Sequence, residues 1–334
     1  MIIKTSSPST MSFLTVLIIS TFIIMSSSNW IILWLSIEVN LMSIIPLILT
    51  TNKNNELEAA TKYFLVQATG SIILLISVFI SNISIFLKKL SIIIFLSRIL
   101  LKIGIVPFHL WFPQVLANIS WLIILLISTW QKLGPLLILR YGRHSWSYVT
   151  IRAIAIANRI IGRWGGIRQT QLQPLISYSS ISHIGWIIRS LIWSPNLSII
   201  YLILYSIITS IIILPFIIHD RSSSSKRNSS KSLPHLIKPL TAMNLLSIGG
   251  IPPLLGFLPK WIVISLLVKI SPILILLLLL FSLVRLFFYI KIIIRISTNR
   301  FKNNTLTPKT KVISIIFPQV ATLLVTITSL SYDK

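Results

Sequence analysis

The sequence predicts an all-α integral membrane protein with about eleven transmembrane helices, and three observations carry that prediction. Of 334 residues, 54% are hydrophobic and only 10% are charged, against roughly a quarter charged in an ordinary soluble domain. The mean hydropathy is +0.91, more apolar surface than one soluble core absorbs. The apolar runs are also long and continuous rather than alternating, which disfavours a transmembrane β-barrel. A soluble enzyme, a disordered chain and a disulfide scaffold are set aside on the same grounds.

Apolar runs between polar breaks place the candidate helices at 11–28, 30–49, 57–82, 88–111, 114–141, 146–165, 172–193, 197–218, 236–268, 272–297 and 312–330. Each is near the ~20 residues that a span requires. Lys4 precedes the first, but no small-residue cleavage site closes it, so the chain is expected to insert whole. Thr51 to Asn55 reads as a polar turn, with Asn55 and Glu58 at capping-box spacing. Asp220 to Pro234 and Asn299 to Lys311 read as basic loops. Trp and Tyr fall mostly near span ends, as interface anchors do.

Two spans are unlike the rest. The fourth carries KIGIVPFHLWFP from Lys102 to Pro113, and the ninth carries GGIPPLLGFLPKW from Gly249 to Trp261. Glycine and proline at this density remove helix hydrogen bonds, which is tolerated at membrane depth only inside protein or against a wet cavity. The two breaks lie five helices apart. An odd repeat enters the membrane from opposite sides, which is the inverted plan of secondary transporters. The expected organisation is a first helix over 1–29, a repeat over 30–166 broken near 102–113, and a repeat over 167–334 broken near 249–261.

Charge is lopsided, with 30 Lys+Arg against 5 Asp+Glu, a formal +25. In a soluble chain that balance points to nucleic acid, but here many of the bases sit in short links, where anionic headgroups hold them. No nucleic-acid partner is expected. Links on the N-terminal side carry eleven bases and those opposite carry six, so the N-terminus is expected in the positive-inside compartment. With no cysteine, Cys-ligated zinc, iron–sulfur clusters and disulfides are excluded. No P-loop, dinucleotide fingerprint or triad is present, so catalysis by this chain alone is not expected.

An ionisable group at the bilayer centre costs ~2.5–3.5 kcal/mol, so each buried one needs a reason. Glu38, in WLSIEVNLMSIIP, reads as the only acid buried in any span, and Lys102 at the first break is its natural partner. The competing reading is a structural ion pair. Lys132, in TWQKLGP, stands where a lysine gives up its proton at modest driving force; snorkelling is the alternative. Lys260, in LPKW, follows the second break and occupies the corresponding position in the second repeat, again against snorkelling. His183, in YSSISHIGW, is as readily a proton relay as a helix–helix hydrogen-bonding residue. The small residues Ser177 to Ser182 read as a close-packing surface.

Six motifs, WLSIEVNLMSIIP, EAATKYFLVQATGS, KIGIVPFHLWFPQV, TWQKLGP, GGIRQTQLQPLISYSSISHIGW and GGIPPLLGFLPKW, run in order between about residues 30 and 262. In this the chain resembles the subunit 2 family of mitochondrial NADH:ubiquinone oxidoreductase, respiratory complex I, in its animal, invertebrate-like form. The resemblance implies a proton-translocating, antiporter-like subunit of the inner mitochondrial membrane with a matrix N-terminus. Glu38, Lys102, Lys132 and Lys260 would form its charged axis, with Lys102 paired to Glu38 and Lys132 as the central relay. It further implies no cofactor in this chain, with FMN, iron–sulfur clusters and ubiquinone held by other subunits. The partners implied are the other membrane-arm subunits and phospholipids such as cardiolipin. A free-standing cation/proton antiporter and a non-pumping structural subunit are the alternatives.

Arg98, Arg159, Arg163, Arg189 and Arg285 depart from the family's pattern of small or neutral residues. Five unpaired arginines at depth would cost on the order of 12–17 kcal/mol, and isoleucine far outnumbers the 5 methionines. Both features follow if an invertebrate mitochondrial gene was translated with AGA/AGG read as arginine and ATA as isoleucine. The competing reading is snorkelling arginines near the interfaces.

Overall fold

The computed structural model describes residues 8–51, 54–83, 87–141, 148–169, 171–225, 237–251, 254–268, 282 and 289–290. The tenth and eleventh expected spans, Arg285 and the 299–311 loop lie outside these residues, apart from the isolated positions 282, 289 and 290.

The described chain is helical throughout. α1 (Pro8–Ser26) starts on a proline, whose missing N–H costs nothing at a helix start. α2 (Trp30–Ile48) is capped by Asn29, whose side chain accepts from the Ile31 amide at 3.2 Å. α3 (Asn54–Ile83) runs antiparallel in sequence to α4 (Lys88–Ile103), and the two pack closely. α5 (Trp111–Ala117), α6 (Trp121–Ser128) and α7 (Trp130–Tyr141) follow, then α8 (Tyr148–Ile167), α9 (Leu172–Trp193), α10 (Pro195–Ser225), α11 (Ile237–Gly249) and α12 (Leu258–Val268). Among the described residues, five stretches are long and apolar enough to cross a membrane: Pro8–Ser26, Trp30–Ile48, Asn54–Ser81, Trp121–Arg140 and Pro195–Ile218.

Several expected boundaries shift for identifiable reasons. Asn55 is not a cap, because α3 already begins at Asn54; Glu58 instead pairs with Lys62 one turn on, at 2.5 Å. Residues 220–225 of the expected loop are instead helical, in α10, and the rest of that loop lies outside the described residues. Residues 114–117 belong to α5 rather than to the fifth span. That span is itself interrupted at Thr129, whose hydroxyl donates back to the Leu125 carbonyl at 2.7 Å, a bond that bends helices.

The molecule is apolar outside and partly polar within. Phe22, Ile31, Leu65 and Phe79 are more than 60% exposed, whereas Asn158, Ser180, His183 and Lys132 are buried. Hydrocarbon solvates the first group, and the second is shielded from it inside the bundle. The α8–α9 pair is the tightest seam. A Cβ on Gly162 would lie 2.9 Å from Ser182 Cβ and from the Tyr178 carbonyl. Ser177, Ser179, Ser180 and Ser182 are all buried, each hydroxyl bonded three residues back, and Ser182 faces Gly162 on this seam. The packing surface expected of Ser177 to Ser182 is present.

The tryptophans and tyrosines divide. Trp30, Trp111, Trp121 and Trp130 stand at helix starts, but Trp186, Tyr201 and Tyr205 are core residues.

Candidate functional site

The first break is a helix stopped by glycine. α4 ends at Ile103, and Gly104 takes φ 74°, the left-handed conformation that spares glycine a Cβ clash. Its amide and that of Ile105 return to the carbonyls of Leu100 and Leu101. Trp111 Nε1 donates to the Leu101 carbonyl at 3.2 Å, and Asn158 on α8 accepts from the Val106 amide at 2.8 Å. The carbonyls and amides freed by the break are thus met from inside the protein. Lys102 stands in the last turn of α4, where helix carbonyls favour a cation. Gly70 on α3 leaves room for its stem, since a Cβ there would lie 3.2 Å from Lys102 Cγ.

The second break repeats the device. α11 ends at Gly249, and Gly250 takes φ 83°. A turn of 3-10 helix (Leu255–Phe257) leads into α12. From there Lys260 reaches back, and its ammonium donates to the carbonyls of Ile248 at 3.1 Å and Gly249 at 2.5 Å. Lys260 is buried, so it does not snorkel.

Beside the first break lies a cavity of about 30 Å³ bordered by Lys102 and Lys132, with Asn40, Gln67 and Gln131 also on its wall. At ~10–15 Å³ per water centre it has room for about two water molecules. Lys132 is 3% exposed. Its Nζ lies 4.9 Å from the Phe112 ring centre and 5.5 Å from that of Tyr205, and has no hydrogen-bond partner among the described residues. Aromatic faces attract a cation without holding its protons.

Tyr205 extends the line to His183, whose ring centre is 5.2 Å away. His183 Nδ1 is 3.0 Å from the Tyr201 hydroxyl, so the helix–helix hydrogen bond between α9 and α10 is formed. Glu38 is half-buried on α2, with Oε1 lacking a hydrogen-bond partner among the described residues. Among the described residues the only salt bridge is Lys62–Glu58, so the expected Glu38–Lys102 ion pair is not formed.

Two expectations change. Glu38 is not the sole buried acid, because Glu56 in the first turn of α3 is 2% exposed; helix starts favour such a charge. The arginines do not snorkel. Arg98, Arg159, Arg163 and Arg189 are all 0–1% exposed, with the Arg159 guanidinium stacked 3.6 Å over Trp186. Sequence reading missed Asn40, Gln67, Gln131, Tyr201 and Tyr205. Asn40, Gln67 and Gln131 stand within the quoted motifs, and an uncharged polar residue beside a buried lysine was the available signal.

Comparison with known proteins agrees with this geometry. The family described as NADH:quinone oxidoreductase/Mrp antiporter, TM, matches residues 27–285. The NADH-ubiquinone oxidoreductase chain 2 of Lumbricus terrestris is 38% identical over 86% of this chain and 87% of its own. That of Locusta migratoria is 37% identical over 84% and 83%. A chain in the respiratory complex I structure from Thermus thermophilus superposes with a TM-score of 0.77 at 18% identity, over 95% of this chain and 78% of its own. A chain of the Mrp complex from Dietzia superposes at 0.74 and 16% identity, over 90% and 62%. The chain therefore belongs to the NADH-ubiquinone oxidoreductase chain 2 family, within the antiporter-like membrane subunits.

Proposed function

We propose that this chain translocates protons across the inner mitochondrial membrane as a core membrane-arm subunit of respiratory complex I, driven by electron transfer from NADH to ubiquinone in neighbouring subunits. One observation carries the reading: Lys102 and Lys132, from two helices, border the same polar cavity large enough for water. Glu38 serves as the acid partner of Lys102 on the charged axis, Lys132 is the central relay, and Lys260 leads toward the second half-channel. His183 joins the line through Tyr205. The matching glycine-stopped helices at Gly104 and Gly250 support two inverted repeats, 30–166 and 167–334. The loop charges support a matrix N-terminus and a C-terminus in the intermembrane space. FMN, iron–sulfur clusters and ubiquinone belong to other subunits, and cardiolipin-type lipids meet the basic links.

The test is peptide mass spectrometry on native gels of solubilised inner membranes. Peptides of this chain in the NADH-oxidising complex I band support the reading. A small band without NADH oxidation would replace it with a free-standing antiporter.

The same spectra test a second reading. The chain holds five carboxylates against 30 basic residues, yet Arg98, Arg159, Arg163 and Arg189 lie within the bundle. This supports translation under the wrong code table, with serine at these positions in the mature protein. Serine masses there are the expected result; arginine masses would overturn it.

A further inference from the structure

The cavity between Lys102 and Lys132 has a wall whose chemistry the two lysines do not explain. Asn40 on α2 and Gln131 on α7, 91 residues apart, form a reciprocal amide pair. Asn40 Nδ2 donates to Gln131 Oε1 at 3.1 Å, and Gln131 Nε2 donates back to Asn40 Oδ1 at 2.9 Å. Gln67 on α3 donates to the Lys102 carbonyl at 3.2 Å. All three amides line the cavity, and much of the remaining wall is apolar, including Ile24, Ile37, Ile103 and Ile127.

An apolar void of this size stays dry, while a water needs 2–4 polar partners. A primary amide offers two donors and two acceptor lone pairs. The reciprocal bond uses one of each on Asn40 and on Gln131, leaving each with a donor and an acceptor. Gln67 keeps its carbonyl oxygen. Such a wall can hold a water in either orientation, and being neutral it adds no charge that would trap a passing proton. A carboxylate there would hold the ammonium, and a leucine would leave the cavity dry.

We propose that the Asn40–Gln131 pair, with Gln67, positions the water that carries a proton between Lys102 and Lys132. The Lys102 N–H bond breaks as its proton passes to the water oxygen. The water releases a different proton to the Lys132 lone pair. Lys102 is left neutral and Lys132 an ammonium, with water regenerated and total charge unchanged. This rests on the proton-translocating reading above. It makes the amides positioning residues that act through the water.

The test uses the whole complex carrying Gln131→Met, close in shape but apolar, and separately Asn40→Leu. Each is reconstituted into sealed vesicles and measured for protons moved per NADH oxidised and for heat stability. Lys132→Met is run alongside. The expected result is an assembled complex, modestly less heat-stable for the lost amide pair, in which transfer through this subunit slows about tenfold. The double exchange Asn40→Gln with Gln131→Asn, which keeps both amides, should restore it. If either single variant assembles and pumps normally while Lys132→Met does not, the amide pair is dispensable and the relay reading stands. If neither single variant assembles, the pair is a packing brace and the proposal falls. Normal pumping by Lys132→Met would remove the relay reading, and this proposal with it.

Discussion

At the first break, α4 stops at Ile103 and Lys102 stands in its final turn, beside a cavity shared with Lys132. At the second, α11 stops at Gly249, and Lys260 returns from the next helix to donate to two of the carbonyls that the stop releases. Both turns run through a left-handed glycine, and both place an ammonium near a helix C-terminus, where the backbone carries partial negative charge. The difference lies in what the ammonium meets. Lys260 satisfies the carbonyls itself, so its charge is fixed in place. At the first break the amides of Gly104 and Ile105 and the Trp111 indole satisfy the carbonyls of Leu100 and Leu101, and the lysines are left to face the cavity. The first break thus leaves its lysines facing a cavity, and the second holds its lysine against the backbone.

The glycines give the sharpest way to separate the two breaks. At Gly104 a Cβ would lie 2.9 Å from Phe112 Cβ, an atom fixed close to the backbone of α5. Gly104→Ala should therefore cost the left-handed strain of ~1–2 kcal/mol plus that clash. The expected outcome is a lower temperature for loss of this subunit from the solubilised complex. At Gly250 the first atom met is the Lys260 ammonium, the far end of a flexible side chain. Gly250→Ala should carry strain of ~1–2 kcal/mol without a rigid clash, and so melt above Gly104→Ala. It should also lower pumping by moving Lys260 off its carbonyls. Equal melting of the two variants would erase the distinction drawn between the breaks.

Smaller effects follow. Tyr201→Phe removes the hydroxyl that meets His183 at 3.0 Å, a loss of about 0.5–1.5 kcal/mol read in the same melting assay. Glu58→Gln breaks the largely exposed pair with Lys62, and should shift stability by no more than ~0.5 kcal/mol.

Much of this arrangement is legible in the sequence because hydropathy and glycine–proline density report depth and helix breaks directly. The span at 172–193 matches α9 end to end, and both breaks fall inside their motifs. Azimuth is what the sequence does not report. Asn40 and Gln131 meet across 91 residues, and nothing local to either marks the other. Tyr205 looks like one more aromatic in an apolar run until α10 turns it toward Lys132. The arginines show the same gap: hydropathy reports their depth, but whether they reach outward to an interface or inward to the bundle depends on packing.

The central claim is that Lys132 passes a proton rather than fixing the packing of α7. The direct measurement is proton uptake into sealed vesicles by the complex carrying Lys132→Met, with NADH oxidation followed in parallel and assembly checked on a native gel. The account predicts an assembled complex whose proton uptake falls well below that of the unaltered complex. Normal uptake in an assembled complex, or failure to assemble at all, would contradict it.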